Sequence, residues 1–277
     1  MTIKKAFRSI GIVALVAISA FLILCFAVPS AKSVINQKTQ TVKDIKIVGL
    51  GDSLTEGVGD ETKQGGYLPL IKGDLEATNR YRVTTQNFGV SGNTSQQILS
   101  RLDKQAKIKS GLKSADVITV TVGGNDLMAI LQKHFFNLSE KNIQTGITQF
   151  QTRLNKLLTQ IRAQNPDAPI YLLGIYNPFY VYFPEVTALS TTVTRFNKAS
   201  QTTIKRYSRV YYVDIDSVLS KGTTPATKKQ KQKVASDLAD NPLIFDQDHF
   251  HPNNAGYAQM TKQLYNEMIK TESKWGK

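Results

Sequence analysis

Ser53 stands in Gly51-Asp52-Ser53-Leu54-Thr55-Glu56-Gly57, a tight turn of small and polar residues. A hydroxyl held there can act as a nucleophile if a nearby base removes its proton, since an alcohol is un-ionised at neutral pH. The plain alternative is a turn serine that caps a helix. A base and a carboxylate are supplied near the other end of the chain by Asp246-Gln247-Asp248-His249-Phe250-His251-Pro252-Asn253. Asp248 and His251 are three residues apart, so one turn can aim the carboxylate at Nδ1 of the imidazole and leave Nε2 free to face Ser53. His249 is the rival base, but as the immediate neighbour of Asp248 it points away from it in most backbone conformations. Asp246, Asp248, His249 and His251 are also metal-ligand types. Against a metal centre, two ligands adjacent in sequence seldom share one tetrahedral ion, and the glycine and asparagine turns elsewhere would be left unused, so no metal is expected. His134 reads as a packing or surface residue.

Two further turns are rich in hydrogen-bond donors. Asn87-Phe88-Gly89-Val90-Ser91-Gly92-Asn93-Thr94 exposes backbone N–H groups, which beside Ser53 could hold the oxyanion of a tetrahedral intermediate; its plain alternative is a glycine closing a loop. In Gly123-Gly124-Asn125-Asp126 the glycines let the backbone approach a ligand and the Asn125 amide offers another donor, unless it only caps a helix. A fifth stretch, Tyr176-Asn177-Pro178-Phe179-Tyr180-Val181-Tyr182-Phe183-Pro184, holds five aromatics. Tyr176, Phe179, Tyr180, Tyr182 and Phe183 are candidates for a substrate pocket wall, or they pack over the end of a sheet and touch no substrate.

Elements of regular structure must bring these turns together. Short β-branched runs at Ile45 to Leu50, Tyr81 to Phe88, Asp116 to Val122, Pro169 to Ile175 and Arg209 to Ile215 read as buried strands. Helical periodicity follows at Leu68 to Thr78, Ser95 to Lys107, Asn142 to Gln164, Val186 to Tyr207 and Asn254 to Glu272, with Pro252 suited to a first helical position. This β-then-α alternation predicts an α/β fold with a five-stranded parallel sheet covered on both faces. Ligands of such sheets bind beyond the carboxyl ends of the strands, which is where the first, second, third and aromatic turns fall.

Taken together, the stretches GDSLTEG, GVSGNTS, GGND and DHFHPN resemble the SGNH hydrolases, also called GDSL lipases and esterases, over the whole domain. The resemblance implies a flavodoxin-like three-layer α/β/α sandwich. It implies Ser53 as nucleophile, Asp248 and His251 as the rest of a triad, and an oxyanion hole made by the backbone N–H groups of Ser53 and Gly92 and the Asn125 side chain. The implied activity is a serine esterase or acylhydrolase that cleaves carboxylic esters through an acyl-enzyme on Ser53 and requires no metal or organic cofactor. Its substrates would carry short to medium acyl chains or be lysophospholipid-like. An O-acetyl esterase of cell-wall or environmental polysaccharide is the second reading, and a non-catalytic envelope-binding module the third.

Composition bounds the rest. The 277 residues carry 35 basic and 21 acidic side chains and 41% hydrophobic residues, enough for a sizeable core. Residues 1 to 43 contain six Lys or Arg and no acid, which leaves 29 basic against 21 acidic residues, or +8, for the remainder. No interleaving of basic and aromatic residues suggests a nucleic-acid surface. Cys25 is the single cysteine, which excludes intramolecular disulfides and cysteine-based clusters. Lys4, Lys5 and Arg8 precede an apolar run from Ile10 to Val28, about 28 Å as a helix at ~1.5 Å per residue. The expectation is one N-terminal apolar helix over residues 1–29 serving as membrane anchor or cleaved signal, a linker over 30–43, and the hydrolase domain over 44–277. A single-pass anchor would leave that domain outside the cell membrane, and cleavage would release it. The basic run Lys228 to Lys233 reads as a solvated loop, which could also attract anionic lipids or wall polymers if the domain is anchored outside a membrane. Oligomeric state leaves no trace in the sequence.

Overall fold

The computed structural model describes residues 15–21, 41–134, 137–182, 185–222 and 241–276. Val42–Lys277 forms one compact unit and Met1–Thr41 another. Residues 15–21 are helical, with Leu15, Val16, Ile18 and Phe21 exposed. Among the described residues no helix is long and apolar enough to cross a membrane. Most of the expected N-terminal helix, the linker up to residue 40, Phe183 and the basic run at 228–233 lie outside the described residues.

Five parallel strands form one sheet in the order β2-β1-β3-β4-β5. They are β1 (Lys43–Gly51), β2 (Tyr81–Gly89), β3 (Val117–Thr121), β4 (Ile170–Leu173) and β5 (Val210–Val213). The period of two along β1 divides the core. Val48 and Leu50 join one hydrophobic cluster, whereas Ile45 and Ile47 join the other. The first cluster is closed by α3 (Ser95–Lys104), α4 (Ala106–Lys113), α5 (Gly124–Lys133), α6 (Glu140–Gln164) and α7 (Thr187–Ile204). The second is closed by α2 (Tyr67–Glu76), α8 (Asp216–Leu219) and α9 (Asn254–Lys270). With helices on both faces, this is the expected three-layer arrangement.

α6 shows why its sequence is helical. Ile143, Ile147, Phe150, Leu154, Leu157, Leu158 and Ile161 recur at three- and four-residue steps and are all buried, and the Ser139 hydroxyl caps the first turn by accepting from the Asn142 N–H at 3.3 Å. Each fully buried Leu or Ile contributes roughly 1.5–3 kcal/mol.

The expected helix Ser95 to Lys107 is instead two helices. Gln105 is extended at φ −105° and ψ 106°, and this break lets Leu102 on one side and Ile108 and Leu112 on the other face the same core. Pro252 is not the first helical residue. α9 begins at Asn254, because the Asn253 side chain takes the capping position and accepts from the Gly256 N–H at 3.0 Å. Periodicity also passed over α5 and the short helices α1 (Ser53–Glu56) and α8, whose few buried residues leave little pattern.

Two glycines permit the tight packing around α1. Gly57 ends it at φ 96°, and the Gly57 N–H returns to the Ser53 carbonyl. Gly89 ends β2 so close to α1 that an added Cβ would lie 2.6 Å from the Glu56 Cα. Since that neighbour is backbone, Gly89→Ala should destabilise the protein by about 1–3 kcal/mol, read as a lower urea midpoint at unchanged slope. An unchanged midpoint would show that β2 and α1 are not tightly coupled.

Candidate active site

Ser53 begins α1 directly beyond the carboxyl end of β1, with 5% of its surface exposed. The loop before α9 comes back to the same edge of the sheet. His251 Nε2 lies 2.9 Å from Ser53 Oγ, and His251 Nδ1 lies 2.7 Å from Asp248 Oδ2. An ionised carboxylate can only accept, so Nδ1 carries the ring proton and Nε2 is the acceptor that faces the Ser53 hydroxyl. The other Asp248 oxygen accepts the backbone N–H groups of Phe250 and His251, both at 2.9 Å. Burial is the largest influence on the Asp248 carboxyl and works to raise it. The N–H of His251, its ring and the N–H of Phe250 outweigh this and hold the carboxyl below the usual carboxylate range.

The rival base is placed elsewhere. His249 adopts a left-handed φ of 51°, and its ring meets Tyr182 edge-on at 5.6 Å. Among the described residues no three of His, Cys, Asp and Glu are grouped to hold a metal ion. His134 is partly buried, with its Nδ1 3.0 Å from the Asn142 amide nitrogen.

The two donor turns are joined to each other. Asn125 Nδ2 donates to the Asn93 carbonyl at 3.1 Å, which fixes the amide and leaves its second N–H free to face the pocket. Gly92, one residue earlier, has φ 76°. Beneath them, Asp126 accepts the backbone N–H of Ser95 at 2.7 Å and the Ser95 hydroxyl at 2.6 Å, and Arg153 reaches Asp126 at 3.0 Å and Ser95 Oγ at 2.8 Å. Arg101 donates to the Phe88 carbonyl at 2.9 Å and to Asn93 Oδ1 at 3.3 Å, and Glu56 accepts the Ser91 N–H. Glu56, Ser95 and Asp126 fall inside the stretches GDSLTEG, GVSGNTS and GGND, whereas Arg101 and Arg153 are helix residues that no local motif announces.

A pocket with an empty volume of about 420 Å³, part of it open to solvent, lies beside Ser53. Asn125 and Gly124 line one side, and Leu54, Val122, Ile175, Tyr176, Pro178 and Phe250 make it mainly apolar. Of the aromatic candidates, Tyr176 lines this pocket, its hydroxyl donating to the Phe250 carbonyl at 2.6 Å. Phe179, Tyr180 and Tyr182 do not. Phe179 packs on Phe250 at 6.1 Å, Tyr182 on His249, and Tyr180 lies under the Lys221 ammonium at 5.9 Å. Phe179 and Tyr182 thereby brace the loop that carries His251.

With this geometry in place, residues 50–259 match the GDSL-like Lipase/Acylhydrolase family. The chain belongs to that family. It is therefore a hydrolase related to lipases and esterases. It is 32% identical over 236 residues to YpmR of Bacillus subtilis (strain 168), described as an uncharacterized protein, with 85% of each chain covered. It is 26% identical over 224 residues to the spore germination lipase LipC of Bacillus licheniformis, covering 79% of this chain and 94% of LipC. Among solved structures, the lipase Lip_vut3 from a goat rumen metagenome superposes with a TM-score of 0.65 at 25% identity, covering 80% of this chain and 97% of that one. Lip_vut3 thus shares the α/β fold described above.

The hydrogen bonds to Asp248 give the hydrolase a pH-dependent element. A carboxyl held low in the folded state contributes stability above its unfolded pKa, and that contribution is lost as pH falls through the folded value. The stability difference between the parent protein and Asp248→Asn should therefore be full near pH 5 and shrink below about pH 4, near the ordinary aspartate value. Urea unfolding of both proteins across that range measures it, and a constant difference would contradict the assigned bonds.

Proposed function

We propose that the protein is a serine esterase that cleaves carboxylic esters of short to medium acyl chain through an acyl-enzyme on Ser53. The observation that carries this reading is the continuous hydrogen-bonded line from Asp248 through His251 to Ser53, at 2.7 and 2.9 Å, beside a mainly apolar pocket. His251 Nε2 takes the Ser53 proton as Oγ attacks the ester carbonyl carbon. Negative charge then forms on the carbonyl oxygen, where the Ser53 and Gly92 N–H groups and the free Asn125 amide N–H receive it. Collapse of this intermediate expels the alcohol, which takes the proton from His251. Water, deprotonated by the same nitrogen, attacks the acyl-enzyme, and Ser53 Oγ leaves with that proton as the acid is released. Asp248 keeps the ring in the required tautomer and stabilises the imidazolium.

The mainly apolar pocket beside Ser53 supports an acyl group rather than a sugar as the buried part of the substrate. O-acetyl esterase activity on polysaccharide is the second reading, favoured by the pocket's modest volume. At the other end of the chain, the apolar run behind Lys4, Lys5 and Arg8 supports export, either anchored by that segment or released after its cleavage.

Nitrophenyl esters from acetyl to palmitoyl test the reading. Ser53→Ala and His251→Ala should each lose at least about 10³-fold in kcat/KM while remaining folded by circular dichroism. Substantial activity in either would refute the assignment. Gly124 lines the pocket, and a Cβ added there meets nothing within 4 Å, so Gly124→Val should fold and project into the pocket. The preferred acyl chain should shorten in that variant. An unchanged profile would move the acyl group to another surface, and a parent restricted to acetyl would favour the second reading.

A further inference from the structure

The segment from Gly57 to Gly66 joins α1 to α2 and touches both ends of the Ser53 to His251 contact. The Val58 N–H donates to the Ser53 carbonyl at 3.0 Å, and the Val58 carbonyl accepts the Tyr257 hydroxyl of α9 at 2.7 Å. The Glu61 N–H donates at 3.0 Å to Oδ1 of Asn254, three residues past His251. Between these two bonds, Gly59 lies against the backbone of the base. An added Cβ there would stand 2.3 Å from the Pro252 carbonyl oxygen and 3.3 Å from the His251 Cβ. The loop is thus a bridge from the nucleophile to the segment that carries the base.

A loop with four glycines in ten residues loses much backbone entropy when it takes one shape. Lys63 inside it holds a left-handed φ of 55°, which persists only where the surroundings enforce it. Asp60, partly buried, is what enforces it. Its Oδ1 accepts the Thr62 N–H at 2.9 Å and the Thr62 hydroxyl, and its Oδ2 accepts the N–H groups of Gln64, Gly65 and Gly66, each at 3.0 Å. Five donors converge on both oxygens, so a proton on either would face a donor, and the side chain is an ionised carboxylate. These bonds draw the end of the loop back to its start, where a Cβ added at Gly57 would lie 2.5 Å from the Gly66 nitrogen.

Among the described residues no Lys or Arg stands within ion-pair distance of Asp60. The titratable group that faces it from a neighbouring element is Tyr257, whose phenol is pushed up by burial and stays neutral. Burial is the largest influence on the Asp60 carboxyl and works to raise it, but the Thr62 hydroxyl and the N–H groups of Gly66, Thr62 and Gly65 outweigh this and hold it below the usual range. The charge therefore serves the loop itself. Resting on the function proposed above, we infer that Asp60 is a positioning residue whose carboxylate shapes the 57–66 loop into the brace that holds His251 at Ser53.

The test is Asp60→Asn in the full chain, which keeps the shape but sets an NH2 group against donors on one side. On nitrophenyl acetate, kcat should fall at least about tenfold with KM within about twofold of the parent, since the pocket is untouched while the base is displaced. Hydrogen exchange read by mass spectrometry is independent of activity. Exchange should quicken over residues 57–66 and also over 245–256, with β1 and β3 as protected as in the parent. A kcat within about twofold of the parent, or faster exchange confined to 57–66, would overturn the inference, because a purely local role for Asp60 predicts both. If Asp60→Asn fails to fold, Tyr257→Phe removes the hydroxyl that holds the Val58 carbonyl and tests the same brace from α9. Its kcat should fall about threefold or more at unchanged KM, and parent kinetics there would equally overturn the inference. A parent without Ser53-dependent hydrolysis would defeat the proposed esterase instead, while exchange over 245–256 would still decide whether Asp60 holds the His251 segment.

Discussion

The contact between Ser53 and His251 joins residues 198 positions apart, and the rest of the site depends on holding it near 2.9 Å. Ser53 is fixed from below, because β1 is paired on both sides in the sheet and passes straight into α1. His251 needs more support, since it sits on a loop. That loop is pinned at both ends: the Phe245 N–H donates to the His251 carbonyl at 2.8 Å, and the Asn253 amide donates to the carbonyls of Pro242 and Ile244 at 3.0 and 3.1 Å. Tyr176 holds the Phe250 carbonyl from just beyond β4, and the Tyr257 hydroxyl donates to the Val58 carbonyl just beyond α1 at 2.7 Å. Both partners of the contact are thus tied into the same packed layers. A geometry preorganised in this way needs little rearrangement when charge develops.

What the sequence made legible follows from what is local. The five strands, the long helices and the turns bearing Ser53, Asn125 and His251 rest on periodicity and on short runs of turn residues, and all of these are neighbours in sequence. The spacing of Asp248 and His251 sufficed to pair them because three residues make one turn, and the left-handed backbone that turns His249 away belongs to that same turn. Signals involving partners far along the chain were not legible. Thr121 falls in an expected strand, Arg101 in an expected helix and Tyr67 just before another, yet each supports a turn of the site 8 to 69 positions away. The split at Gln105 was also hidden, since apolar residues on both sides keep a helical rhythm although the helix axis changes.

The aromatic stretch after β4 shows the same limit in another form. Five rings in eight residues read as a single feature, but the chain distributes the described ones between two tasks. Tyr176, just past the end of β4, keeps its ring in the pocket wall, whereas Phe179 and Tyr182 meet Phe250 and His249. Aromatic pairs at such distances contribute about 0.5–1.5 kcal/mol beyond their burial, which suits them to steadying a loop. Composition identified the material of the wall, and the backbone turn at Pro178 decided which rings formed it.

Two carboxylates of the site sit in opposite surroundings and do different work. Asp248 is about one-third exposed, held low by three hydrogen bonds, and in direct contact with Nδ1 of His251. Asp52 is buried and pushed up by the loss of water, and its Oδ1 accepts the Leu54 N–H and the Thr121 hydroxyl, so it fixes the start of α1 against β3. The bond from Asp248 sets which nitrogen of His251 carries the ring proton, and the cap from Asp52 sets where the Ser53 hydroxyl stands to meet the other nitrogen.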